Sequence, residues 1–82
     1  MEKMFKTEIE YRKDTLFVQV FGPLTRRNIS KLKRKLYYIL TEYGIGHVVM
    51  NITEATPFDS DEFYRFLDEY DIEFGGELEI VK

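Results

Sequence analysis

Three carboxylates and one hydroxyl crowd the stretch Pro57 to Phe63, which reads PFDSDEF. Closely spaced carboxylates suit acid/base work or a hard cation, and a serine among them suits a reversible modification. Acid/base catalysis by Asp59 and Glu62 would need a partner nucleophile or a recognisable pocket, and the sequence offers neither. A calcium loop would need a glycine and a twelfth-position glutamate that this run lacks, so no metal is expected. The spacing fits a helix start instead. With Asp59 as N-cap, Glu62 stands at N3 and the two form a capping box, while Phe58 at N′ and Phe63 at N4 form a hydrophobic staple. Both devices select the same first residue, so Ser60 is expected at N1 with its hydroxyl facing solvent. On residue chemistry alone, Ser60 is either a tolerated first-turn serine or a regulatory switch, and the helix start does not choose between them.

The elements that must hold this stretch can be read on either side of it. From Phe5 to Tyr11, apolar Phe5, Ile9 and Tyr11, with Thr7, alternate with Lys6, Glu8 and Glu10, the pattern of a half-buried edge strand. Arg12 to Asp14 turn the chain into a second strand, Leu16 to Phe21, whose faces carry Leu16, Val18 and Val20 on one side and Phe17, Gln19 and Phe21 on the other. Gly22 and Pro23 break it. A helix starts between Thr25 and Asn28, with a stripe of Ile29, Leu32, Leu36, Ile39, Leu40 and Tyr43, and ends at Gly44 or Gly46. HVVMNI, His47 to Ile52, reads as a strand buried on both faces. The second helix is expected from Ser60 to about Asp71, with Phe63, Phe66, Leu67 and Tyr70 inward and Phe74 extending that stripe into the turn. After Gly75 and Gly76, Glu77 to Val81 form the last strand. The order ββαβαβ predicts an α/β fold: a four-stranded mixed sheet in the order 1-2-3-4, with both helices packed on one face. The other face must be covered by aromatics, by polar residues or by another subunit.

Composition bounds the rest. The chain of 82 residues is one domain, 1–82, with seven Phe and six Tyr to fill a single core. It contains no cysteine, which removes disulfides, thiolate ligands and a thiol nucleophile. No Gly-rich loop, CxxC or triad is present, so neither a catalytic residue nor a cofactor is expected. The N-terminal MEKMFKTEIEYRK has no apolar h-region and no run approaches membrane-spanning length, which predicts a soluble cytoplasmic protein without a membrane contact. The net charge of −3 conceals a polarity: residues 1–53 hold ten Lys and Arg against five Asp and Glu, residues 54–82 two against ten. The six basic residues from Arg26 to Lys35 form a solvated helix face or, less in keeping with an acidic domain, a nucleic-acid patch; no nucleic-acid partner is expected. His47, the single histidine, is assigned a structural role. Of Tyr37 and Tyr38, Tyr38 lies outside the stripe and is free to anchor a partner.

Four stretches taken together resemble the STAS domain (sulfate transporter and anti-sigma factor antagonist), best known as the bacterial anti-anti-sigma factor. LFVQVFGPLT, Leu16 to Thr25, is similar to that family's strand and G-x-L-[DT] turn, and the helix NISKLKRKLYYIL follows. HVVMNITEATPFDSDEF is similar to its strand, turn and [FI]-D-S-[ST]-G-L sequence, and FGGELEIV to its last strand. The resemblance implies a non-enzymatic signalling module in transcription regulation, whose partner is a serine kinase that is also the anti-sigma factor. It implies Ser60 as phospho-acceptor, and a partner-binding edge made of Asp59, Ser60, Asp61 and Glu62 with Pro23 and Thr25 of the neighbouring turn. Where the family has a further Ser/Thr and a Gly, this chain has Asp61 and Glu62. The loop therefore already carries negative charge, and partner affinity is expected not to depend strongly on phosphorylation. A second reading is a self-associating scaffold subunit, a homo-oligomer joined through the exposed edges of strands 1 and 4, the Phe17/Phe21 face and the charge polarity.

Overall fold

A computed structural model describes residues 4–82; the N-terminal stretch read as lacking an apolar h-region begins in residues 1–3, outside those described. The elements are β1 (Lys6–Arg12), β2 (Thr15–Phe21), α1 (Arg26–Tyr43), β3 (His47–Glu54), α2 (Ser60–Phe74) and β4 (Glu77–Val81). They form one sheet of four strands in the order β1-β2-β3-β4. β1 and β2 are an antiparallel hairpin, whereas β2, β3 and β4 run parallel. The expected ββαβαβ architecture is the observed one, with both helices on one face.

The alternation of each strand decides which face is dry. Leu16, Val18 and Val20 of β2 and Val48, Met50 and Ile52 of β3 are buried with Ile29, Leu32, Leu36 and Leu40 of α1 and Phe63, Phe66 and Tyr70 of α2. Leu78 and Ile80 of β4 pack against this core from the edge. The opposite face is open. Val49 and Asn51 of β3 are only half-buried there, so the expectation that β3 is enclosed on both faces is corrected: one layer of helices can cover only one side of a sheet. Cations lie over the half-buried rings of that face, with the Arg12 guanidinium 5.0 Å from the Phe17 centroid and Lys6 Nζ 5.9 Å from that of Phe21.

Two further boundaries differ from the sequence reading. Tyr43, placed in the buried stripe of α1, is 71% exposed, because Gly44 turns left-handed (φ 63°) directly after it and the last inward residue is Leu40. α2 continues as helix past Asp71 to Phe74, whose ring stands edge-on to Tyr37 at 4.7 Å, before Gly75 (φ 61°) ends it. Aromatic packing across the two helices extends α2 by nearly a turn. Among the described residues no helix is long and apolar enough to cross a membrane.

Candidate functional site

Asp59 has an extended backbone and its Oδ1 accepts the Glu62 N–H at 3.1 Å, as an N-cap should. The staple is formed as well, with the Phe58 and Phe63 rings 5.2 Å apart. The reciprocal half of the capping box is absent. Glu62 Oε1 instead accepts from Arg65 at 3.3 Å, and the Asp59 N–H donates to the Leu24 carbonyl at 3.0 Å. A tertiary acceptor has taken the donor that a glutamate at N3 would ordinarily satisfy.

That acceptor is the key to the site's construction. Leu24 also donates its own N–H to the Pro57 carbonyl at 2.8 Å, so the two turns form a parallel bridge, Leu24↔Phe58, outside the sheet proper. Leu24 is fully buried and anchors the bridge in the core. The approach is prepared by Gly22: at φ +85° its N–H donates to the Glu54 carbonyl at 3.1 Å, and a Cβ there would stand 2.5 Å from the Met4 carbonyl oxygen. On the far side, Thr25 caps α1, its Oγ1 accepting the Asn28 N–H at 3.3 Å, while Asn28 Nδ2 donates to the Pro23 carbonyl at 2.9 Å.

The bridge sets the first turns of α1 and α2 side by side, with their free N–H groups and positive dipole ends at one edge. It sets Thr25 alongside Asp59, both lining one concavity, whereas Pro23 does not line it. Ser60 is exposed at the first helical position, and Asp61 is exposed beside it, whereas Glu62 is half-buried and engaged by Arg65. A shallow concavity of about 270 Å³ lies at the junction, lined by Leu24, Thr25, Pro57, Phe58 and Asp59. Phe58 is 38% exposed in it. Sequence reasoning assigned Phe58 to the staple alone and gave Leu24 and Pro57 no part; an aromatic at N′ preceding a cap in a chain with two adjacent helix starts was the available signal.

The remaining candidates lie elsewhere. His47 does not begin a buried strand segment: it is exposed, and its Nδ1 lies 3.0 Å from Glu77 Oε2, joining the paired starts of β3 and β4. The basic residues of α1 divide into two groups. Lys33 is paired with Glu69 of α2, which raises its pKa through that hydrogen bond, and Lys35 donates to Thr7 of β1 at 3.2 Å. Arg26, Arg27, Lys31 and Arg34 line a shallow surface groove with Ser30.

Comparison with known proteins establishes the fold alone. No family profile and no curated protein sequence matches the chain, whereas solved structures do. An anti-sigma-factor antagonist STAS domain from Rhodobacter sphaeroides superposes with a TM-score of 0.69 at 18% identity, over 94% of this chain and 85% of that one. The Bacillus cell fate determinant SpoIIAA in its phosphorylated form gives 0.59 at 14% identity, over 92% and 68%. A structure described as Mglu gives 0.73 at 22% identity over 92% of this chain, which spans only 19% of that larger one. The chain has a STAS-like fold.

Proposed function

We propose that the chain is a non-enzymatic STAS-type interaction module that docks a regulatory protein through the joined starts of α1 and α2. The bridge Leu24↔Phe58 carries this reading: it builds one rigid, exposed edge from two sequence-distant turns and seats a partly exposed aromatic in a concavity between them. Exposed aromatic anchors beside a shallow pocket are the usual centres of protein interfaces. The similarity in fold to an anti-sigma-factor antagonist and to SpoIIAA supports a kinase-type anti-sigma factor as the partner, in a cytoplasmic bacterial setting.

Ser60 is the phospho-acceptor in this reading. A phosphate there gains from the N–H groups of the first turn and is opposed by Asp59, Asp61 and Glu62. The two effects offset one another, so modification tunes affinity rather than switching it. The test is a binding titration against a purified kinase-type anti-sigma factor. Phe58→Ala and the bulky Ser60→Arg are expected to weaken binding by about tenfold or more, and Ser60→Asp by less. Binding indifferent to both Phe58→Ala and Ser60→Arg removes the site; Ser60→Asp abolishing binding while Ser60→Ala preserves it overturns the tuning claim.

A further inference from the structure

The outward faces of the two helices carry a match that shares only Asp61 with the docking edge. Each helix begins at a cap held by the same bridge, Thr25 for α1 and Asp59 for α2, so the two start level. Both connect consecutive strands of the parallel trio, so they run in the same direction. Counted from its cap, α1 places Arg27 second and Arg34 ninth, where α2 places Asp61 and Asp68. All four are exposed on the side of their helix away from the core. At the thirteenth position stand two exposed hydrophobics, Tyr38 (66% exposed) on α1 and Ile72 (84%) on α2.

We infer that the helix layer is a self-complementary surface for a second copy of this chain. A two-fold axis parallel to the helices, above the seam between them, lays α1 of each copy along α2 of the other. Arg27 then faces Asp61 of the second copy, Arg34 faces its Asp68, and Tyr38 packs on its Ile72, each contact occurring twice. The perpendicular in-plane axis would stack α1 on α1 and set like charges together, so the charge polarity selects the first arrangement. One position runs against the match, the sixth, where Lys31 would meet Arg65; Arg65 is already paired with Glu62 at 3.3 Å. The dimer is closed, unlike an assembly through the sheet edges. An 18-residue helix is about 27 Å long and a pair of helices about 20 Å wide. The face is thus on the order of 500 Å², below the roughly 800 Å² per partner of a standard stable interface, so charge must supply much of the attraction and the dimer is salt-labile.

Sedimentation equilibrium of the pure chain tests this without any other partner, so its failure leaves the docking edge standing. The expected result is a dimer at low ionic strength that becomes a monomer in high salt. Arg34→Glu and Asp68→Arg are each expected to raise the dimer dissociation constant about tenfold, and the variant carrying both to recover most of it. A monomer at every salt concentration, a mass that climbs past the dimer, or a double variant no better than the single ones overturns the inference. Far-ultraviolet circular dichroism verifies that these exposed substitutions leave the fold intact.

Discussion

The Tyr37 hydroxyl is enclosed with no hydrogen-bond partner among the described residues, while its ring packs edge-on against Phe74 and Tyr70 and lies under Lys33 Nζ. The ring accounts for the residue's place in the core, and the hydroxyl is a desolvated polar group with nothing to bond. Burial also pushes its pKa up from the ordinary tyrosine value. Tyr37→Phe keeps every aromatic contact and removes the unpaired atom, so it is expected to stabilise the protein by about 1 kcal/mol, a rise of several degrees in thermal midpoint. A loss of similar size in a melting experiment would mean that the hydroxyl is in fact bonded. The division of labour in the Tyr37, Tyr38 pair was legible in the sequence, because helical phase alone turns Tyr38 outward. That Tyr43 is also exposed was not legible: its phase is correct, but the core ends one turn earlier.

At the scale of the elements, what can be read from sequence follows how local the determining contacts are. The α2 start was readable to the residue, since its cap and staple lie within five residues of one another, whereas the α1 start was readable only to the span Thr25 to Asn28. The missing half of the capping box was not, because the Leu24 carbonyl that takes the Asp59 N–H lies far away in the chain and reaches it only after folding. The same non-local bridge built the concavity, which explains why Phe58 read as a staple and not as a docking residue. The cap geometry makes an asymmetric prediction. Asp59→Ala loses the only side-chain acceptor at the α2 start among the described residues and is expected to cost about 1 kcal/mol, with Asp59→Asn recovering most of it. Glu62→Ala, which a full capping box would make comparably costly, is expected to change stability by less than about 0.5 kcal/mol, the scale of an exposed i,i+3 pair. Urea denaturation of the three variants decides the matter; equal losses at 59 and 62 would restore the reciprocal box.

Across the whole molecule, the charge polarity of the sequence becomes a basic helix lying against an acidic one, closed at the seam by Lys33 and Glu69. Behind that seam sits the aromatic run Tyr37, Tyr70 and Phe74, with Tyr70 only 2% exposed. Burial raises the Tyr70 pKa above its ordinary value, and Lys33 is raised by its bond to Glu69. Both shifts act on stability in the same sense. Once the pH exceeds the unfolded-state values near 10, the unfolded chain releases protons that the folded chain still holds, so unfolding gains and the fold loses. The stabilisation from these groups is therefore complete below about pH 10 and declines as the pH rises through the raised folded-state values. Tyr70→Phe retains the ring against Phe66 and Phe74 but has no proton to lose. Denaturant midpoints measured at neutral pH and above pH 10 should thus fall less steeply in Tyr70→Phe than in the unsubstituted chain; parallel declines would show that this tyrosine reaches solvent freely enough to ionise without unfolding.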